Sequence, residues 1–310
     1  MNFLLIISGL ALLVFGGDWL LKSAVAISLK LNISKVVIGM TVVSFATSAP
    51  ELIVSINAAL TGSSDLALGN VIGSNIANLG LVLGITLLLG SMTISKSFYK
   101  TDWPVMIIAS FLLFVFLSND AVIVQYEGII LFGFLVLFIV YLLRTQKNLD
   151  VDHILEEEVL LPNYKTFIFF ILGGLGLWGG SELLIKGATS LALEYGVTER
   201  VIGVTVVSIG TSVPELAASV MAVIRKEKAI SLGNLIGSNI FNILAVIGIT
   251  SIITPISLSD SRLLSSDIYW MLGISLALLP MVFLPKKYKL TWVNGLVLLV
   301  SYCLFIYVTI

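Results

Sequence analysis

Charged side chains are scarce in this chain of 310 residues. Only 11% of the residues are Asp, Glu, Lys or Arg, whereas 58% are hydrophobic. A soluble domain would carry roughly a quarter charged residues, so the composition excludes an ordinary soluble protein and indicates several membrane-spanning helices. The formal net charge is -1 and the basic residues are scattered, which gives no support for nucleic-acid binding.

Cysteine and histidine occur only once each, as Cys303 and His153. A single cysteine excludes a disulfide within the chain. His153 lies in a polar stretch that offers no partners for a metal site. An intramembrane enzyme would need a nucleophile with a base, or a pair of aspartates. The sequence places neither, so we do not expect an enzyme.

Polar interruptions divide the chain into apolar windows. A helix needs about 20 mostly apolar residues to cross a bilayer. Ten windows meet this requirement, and they predict an all-α membrane protein with ten transmembrane helices. The windows are residues 3–26, 36–60, 66–89, 102–118, 126–143, 166–193, 200–224, 229–253, 267–284 and 291–308.

The distribution of Lys and Arg predicts how these helices are oriented. If the N-terminus is outside, the inside loops contain 13 of the 17 Lys and Arg residues, and the outside loops contain only Arg200 and Arg262. Cytoplasmic loops are the ones that retain basic residues. We therefore expect a multi-pass protein of the plasma membrane with both termini outside.

Two long sequence segments, here called words, each occur twice at a constant offset of 164 residues. GMTVVSFATSAPEL aligns with GVTVVSIGTSVPEL, and LGNVIGSNIAN aligns with LGNLIGSNIFN. Each half contains five predicted helices, an odd number, so equivalent helices must cross the membrane in opposite directions. The sequence thus predicts two inverted-topology repeats, residues 1–143 and 166–310, joined by a cytoplasmic linker, 144–165. Such repeats place substrate sites near the bilayer midplane.

The first word combines a hydroxyl, a proline and a carboxylate within an apolar helix. Thr47 and Glu51 lie four residues apart and share a helix face, as do Thr211 and Glu215. The prolines between them, at positions 50 and 214, each remove a backbone donor and are expected to break the helix. Carbonyl oxygens one turn upstream would then be available to a cation.

The second word adds further oxygen atoms at helical spacing. Ser74 and Asn78 lie four residues apart, and Ser238 and Asn242 repeat the spacing. Carboxylate, amide, hydroxyl and carbonyl oxygens without His or thiolate favour Na+, Ca2+ or Mg2+. Mg2+ is disfavoured because it retains its waters and needs strict octahedral geometry.

The net charge of the two glutamates adds a second criterion. An ionised side chain at a helix centre costs about 2.5 to 3.5 kcal/mol on insertion scales. Together the two glutamates carry -2, which one Ca2+ or two Na+ would neutralise. Competition between the two ions for the same charge is a physical basis for exchange.

These repeated words resemble the two alpha-repeats of the cation/calcium exchanger superfamily, in its sodium/calcium exchanger branch. The resemblance covers most of the chain. It implies an antiporter in which sodium entry drives calcium extrusion while the first and sixth helices slide to alternate access. It implies no cofactor; the expected partners are the transported Na+ and Ca2+ ions and the lipid bilayer, and a monomer is the expected state.

The resemblance also implies a set of metal ligands. Glu51 and Glu215 would bridge calcium together with the carbonyl oxygens of Thr47 and Thr211. The two asparagines, Asn78 and Asn242, would complete the middle of the site. The glutamates would also serve the sodium sites, together with the remaining implied ligands, which are Ser48, Ser74, Ser212, Ser238 and the carbonyl oxygens near Ser44 and Ser208.

One position departs from several relatives, and two other functions stay open. Potassium-dependent exchangers carry an aspartate where this chain has Asn242, so the resemblance disfavours potassium dependence. Glutamates can also carry protons, which keeps proton-coupled calcium antiport as an alternative. A cation channel could use the same oxygen atoms, although channels usually build rings by oligomerisation rather than by repeats within one chain.

Overall fold

The computed structural model describes residues 2–145, 161–195 and 208–309, and these residues are almost entirely helical. Ser208–Thr211 forms a single helical turn. The described helices are α1 (Asn2–Leu31), α2 (Lys35–Leu60), α3 (Ser64–Leu89), α4 (Phe98–Asp120), α5 (Gln125–Thr145), α6 (Asn163–Glu194), α7 (Val213–Ile224), α8 (Lys228–Ile253), α9 (Leu263–Phe283) and α10 (Trp292–Thr309).

Nine helices in the described part of the chain, all but α7, are long and apolar enough to cross a membrane. Each coincides with a predicted window to within a few residues. The tenth window, 200–224, begins in a stretch outside the described residues. Its described part, 208–224, contains the helical turn Ser208–Thr211 and the 12-residue α7. Large apolar side chains remain exposed on several helices, for example Leu137 at 70% and Tyr307 at 82%. An all-helical membrane protein is therefore confirmed.

Five π-helical segments occur within the described helices. In a π-helix the backbone bond spans five residues instead of four, which widens the turn, and such segments concentrate at functional sites. Two of them begin at asparagines that the sequence singled out, Asn78 and Asn242. The five segments are Gly39–Val43, Asn78–Val82, Phe98–Asp102, Asn242–Ile247 and Leu263–Asp267.

The chain forms two compact units, and each unit contains segments from both halves of the sequence. The first unit comprises Met1–Thr47 and Ile139–Leu235, and the second comprises Ser48–Phe138 and Ile236–Ile310. The boundaries pass through α2, α5 and α8, so these helices contribute to both units. The predicted division into two sequence repeats is a different partition of the chain and stays a prediction.

Glycines allow α1 and α6 to pack closely in the first unit. A Cβ atom built on Gly16 would lie 2.7 Å from the backbone nitrogen of Leu177, and one on Gly9 would lie 2.8 Å from the carbonyl oxygen of Gly180. Real side chains do not approach this closely, so glycine is needed at both positions. Small residues permit such backbone contact in membrane helices, where dispersion and hydrogen bonding drive association.

The second unit is held by a similar helix pair and by two short strand pairs. A Cβ atom on Gly295 of α10 would lie 2.8 Å from the carbonyl oxygen of Gly84 on α3. The strands are β1 (Met92–Thr93), β2 (Val122–Ile123), β3 (Ile256–Ser257) and β4 (Lys289–Leu290). Antiparallel pairs join β1 to β4 and β2 to β3.

Candidate functional site

Two carboxylates are completely buried in apolar helices. Glu51 of α2 and Glu215 of α7 each have 0% exposed surface. Asn70 of α3 supports the backbone beside Glu51, because its amide nitrogen donates to the Glu51 carbonyl oxygen at 3.3 Å and to Ser55 Oγ at 3.0 Å. Buried ionisable side chains at membrane depth are rare and usually mark ion or substrate sites.

The two prolines act differently on their helices, contrary to the expectation of two helix breaks. Pro50 lies inside a helical stretch that continues from Ser44 to Leu60, so the chain tolerates one missing hydrogen bond there without a break. Helix interruption occurs only before Pro214, where Ser212 adopts φ -89° and ψ 4° and the proline occupies the first turn of α7. A proline is well accommodated in a first turn because its missing N–H has no partner there.

Hydroxyl groups in the first unit are held by the N-terminal half of α8. Ser44 Oγ lies 2.7 Å from the Gly39 carbonyl oxygen and 3.1 Å from that of Asn234. Thr47 Oγ1 lies 3.3 Å from both the Ser44 carbonyl oxygen and Asn234 Oδ1, either of which can accept its single proton. The Asn234 amide nitrogen donates in turn to Ser219 Oγ at 3.1 Å. These contacts fix the helix turn that carries the Ser44 and Thr47 carbonyl groups.

Four asparagines form a hydrogen-bonded network between α3 and α8 in the second unit. Asn75 Nδ2 donates to the Asn239 carbonyl oxygen at 3.2 Å, and Asn239 Nδ2 donates to the Asn75 carbonyl oxygen at 3.4 Å. The two predicted ligands join this pair: Asn78 Nδ2 donates to Asn239 Oδ1 at 3.2 Å, and Asn242 Nδ2 donates to Asn75 Oδ1 at 3.1 Å. All four residues are buried.

Three buried oxygen atoms among the predicted ligands have no hydrogen-bond partner within the described part of the chain. They are Asn78 Oδ1, Asn242 Oδ1 and Ser212 Oγ. An unsatisfied buried polar atom is unfavourable by roughly 1 to 3 kcal/mol. Neutral oxygen atoms in this condition are suited to a hard cation such as Na+ or Ca2+.

The predicted site residues divide between the two units, and most are buried. Ser44, Thr47, Ser212 and Glu215 are buried in the first unit, where Thr211 is partly exposed; for Ser208 only the backbone is described. Six are buried in the second unit, namely Ser48, Glu51, Ser74, Asn78, Ser238 and Asn242. The contacts within the second unit bring the two asparagines into one network. No three His, Cys, Asp or Glu side chains cluster anywhere in the described ranges.

Sequence reasoning missed four asparagines that organise these contacts. Asn70 and Asn234 are equivalent under the 164-residue shift, and so are Asn75 and Asn239. The repeat itself was the available signal, because all four lie inside the second repeated word. Spacing alone drew attention to Ser74 and Asn78, which share a helix face, and passed over the neighbour between them.

Comparison with known proteins identifies the family. The model of the family described as sodium/calcium exchanger protein matches residues 1–144 and 165–310. The chain belongs to the sodium/calcium exchanger family. The prediction made from the two repeated words is thereby confirmed.

Individual family members match along nearly the whole chain. The putative antiporter CaxA of Alkalimonas amylolytica is 38% identical, with 96% of this chain and 95% of the relative covered. The sodium/calcium exchanger MaX1 of Methanosarcina acetivorans is 32% identical, covering 99% and 98%. Both relatives are named as transporters rather than enzymes.

Solved structures of the sodium-calcium exchanger NCX_Mj share the fold. The form soaked with zero Na+ and Ca2+ superposes with a TM-score of 0.84 at 26% identity, covering 100% of this chain and 99% of the other. The form soaked with 10 mM Na+ and 10 mM Sr2+ gives 0.84 at 28% identity, with 99% and 97% covered. An exchanger fold therefore accounts for the entire length of this member.

Proposed function

We propose that this chain is a secondary antiporter that exchanges Na+ for Ca2+ across the membrane by alternating access. The observation that carries the proposal is the complete burial of Glu51 and Glu215 within apolar helices, in a chain of this family. Two negative charges in such segments need compensation. One Ca2+ or two Na+ supply the two positive charges that are needed, so either Ca2+ or Na+ can neutralise the same two glutamates.

The proposed ligands are the oxygen atoms inferred from the repeated words. Glu51 and Glu215 hold Ca2+ together with the carbonyl oxygens of Thr47 and Thr211. Asn78 and Asn242 contribute amide oxygens that have no hydrogen-bond partner in the described part of the chain, which supports this role. The same glutamates, the serines Ser48, Ser74, Ser212 and Ser238, and the carbonyl oxygens near Ser44 and Ser208 hold Na+. No cofactor takes part.

The proposal includes an architecture and an orientation. Ten transmembrane helices form two inverted-topology repeats, residues 1–143 and 166–310, with a cytoplasmic linker, 144–165. The excess of Lys and Arg in alternate loops supports a plasma-membrane protein with both termini outside. In this arrangement α1 and α6 slide against the other helices to expose the ions to each side in turn.

Flux into proteoliposomes tests the function directly. Purified protein in vesicles loaded with Na+ should accumulate Ca2+ when diluted into medium without Na+, and imposed K+ gradients should have no effect. Accumulation driven by a proton gradient alone would favour proton-coupled calcium antiport, which the glutamates also permit. Calcium flux that runs only down its own gradient would indicate a channel.

Neutralising either carboxylate tests the ligands. Glu51→Gln and Glu215→Gln should each reduce sodium-driven Ca2+ uptake on the order of a hundredfold, because each removes half of the charge that binds Ca2+. Glu194→Gln is a matched control, since Glu194 is exposed at the end of α6. Size-exclusion profiles should match the wild type for all three variants. Near-normal uptake by either buried-site variant would rule out the proposed ligands.

A further inference from the structure

The orientation of two amide groups in the second unit is set by atoms that can only accept hydrogen bonds. Asn75 Nδ2 faces the Asn239 carbonyl oxygen at 3.2 Å and Met271 Sδ at 3.7 Å. Asn239 Nδ2 faces the Asn75 carbonyl oxygen at 3.4 Å and Met106 Sδ at 3.8 Å. Neither a carbonyl nor a thioether donates a hydrogen bond. Reversing either amide would place two oxygen atoms against each other.

The orientation of this inner pair determines that of the outer pair. With its nitrogen engaged, Asn75 presents Oδ1 to Asn242, so Asn242 must direct Nδ2 toward it, at 3.1 Å. Asn239 likewise presents Oδ1 to Asn78, whose Nδ2 lies 3.2 Å away. The oxygen atoms of Asn78 and Asn242 therefore face away from the network. Both are buried and lack hydrogen-bond partners within the described residues.

We propose that Asn75 and Asn239 are positioning residues that force Asn242 and Asn78 to present an oxygen, rather than an N–H group, to the transported cation. The inference rests on the proposed function. The control is reciprocal, because Asn75 on α3 orients Asn242 on α8, and Asn239 on α8 orients Asn78 on α3. Without such control an asparagine amide could reverse, which would replace a ligand by a hydrogen-bond donor that repels the ion.

A double-mutant design separates orientation from simple packing. Asn75→Leu removes the acceptor for Asn242 while keeping a similar side-chain volume. It should raise the KM for Ca2+ in sodium-driven uptake on the order of tenfold, comparable to the loss of one charge-assisted contact. In an Asn242→Asp background the same change should not raise KM. A carboxylate has only acceptor oxygens, so it needs no orientation and cannot donate to Asn75 Oδ1, and the loss of Asn75 removes no favourable contact.

The second asparagine provides a matched internal control. Asn239→Leu should raise the KM for Ca2+ in the wild-type and Asn242→Asp backgrounds alike, since it acts through Asn78. Its effect should disappear in an Asn78→Asp background. Asn75→Ala replaces Asn75→Leu if the leucine variant does not give a monodisperse protein.

Each outcome points to one conclusion. The positioning role is supported if the rise in KM caused by Asn75→Leu disappears only in the Asn242→Asp background, and the rise caused by Asn239→Leu disappears only in the Asn78→Asp background. Equal KM penalties for Asn75→Leu in all backgrounds, or a loss confined to thermal stability, overturn it and leave a packing role only. Failure of the wild type to accumulate Ca2+ under a sodium gradient would instead reject the proposed function, and the positioning role with it.

Discussion

Asn78 and Asn242 each bury an unsatisfied amide oxygen, judged from the described residues, which is an arrangement that proteins usually avoid. Their amide nitrogens are bonded, but their buried oxygens have no partner in the described part of the chain. Each such oxygen destabilises the folded protein by roughly 1 to 3 kcal/mol. Binding of a cation would offset this cost. In the proposed site a neutral amide leaves the total charge at the -2 of Glu51 and Glu215, which limits how much cation charge the site can compensate.

Changing that charge should change ion coupling. Asn242→Asp adds one negative charge within the asparagine network, so we expect an additional cation, either K+, H+ or a further Na+, to be needed per cycle. The measurement is Ca2+ uptake in proteoliposomes as a function of external pH and of K+, with membrane potential clamped.

The exposed position Asn57 on α2 offers a matched control. Asn57→Asp adds the same charge and should leave the pH and K+ dependence unchanged. If Asn242→Asp behaved like this control, Asn242 would lie outside the ion pathway.

At the scale of single residues, the sequence predicted which side chains offer oxygen atoms to a cation, but not which side chains hydrogen-bond to each other. Oxygen-rich side chains in apolar helices are visible in the sequence because their types alone are unusual there. The sequence does not show which asparagine donates a hydrogen bond to which, since Asn75 and Asn78 are the same residue type three positions apart. Only the approach of α3 to α8 distinguishes the orienting residue from the oriented one.

At the scale of helices, proline position decides the outcome. Pro50 lies in the interior of a continuous helical stretch, whereas Pro214 lies in the first turn of α7. An interior proline removes the hydrogen bond to the carbonyl four residues earlier, here Ala46, and costs about 3 kcal/mol. A proline in the first turn lacks an N–H group that would have no hydrogen-bond partner within the helix.

This difference predicts unequal effects of two equivalent substitutions. Pro50→Ala should raise the thermal unfolding midpoint in detergent, because the new N–H can bond to the Ala46 carbonyl oxygen. Pro214→Ala should change the midpoint much less. Equal midpoints for the two variants would show that the missing bond at Pro50 does not limit stability.

The π-helical segments could not be read from the sequence. Asn78–Val82 and Asn242–Ile247 consist of residues that an ordinary helix accepts equally well. A π turn inserts one extra residue into the helix, and tertiary packing has to stabilise it. The apolar windows therefore predict where these helices lie, but not where they widen.

At the scale of the whole molecule, orientation in the membrane is the main prediction that remains to be measured. Lys226 and Arg262 are both exposed, and they are expected on opposite sides, inside and outside respectively. Cys303 is the single cysteine and is itself exposed. A Cys303→Ser background therefore allows either position to be tested as the sole thiol.

Labelling of intact cells with a membrane-impermeant maleimide should modify Arg262→Cys and spare Lys226→Cys. Permeabilised cells are the control, because both variants should then react. The reverse pattern in intact cells would place both termini inside and contradict the bias in basic residues.

The sequence by itself determined the membrane character, the positions of the nine long helices in the described part of the chain, the duplicated words and the family, because each depends on residue type and spacing along one chain. Burial of Glu51 and Glu215 was also foreseeable, since their neighbours in sequence are apolar. Only the tertiary structure decided that Pro50 leaves its helix continuous, that glycines bring α1 against α6, and that Asn75 and Asn239 orient their partners. These features depend on contacts between residues far apart in sequence, which local pattern does not specify.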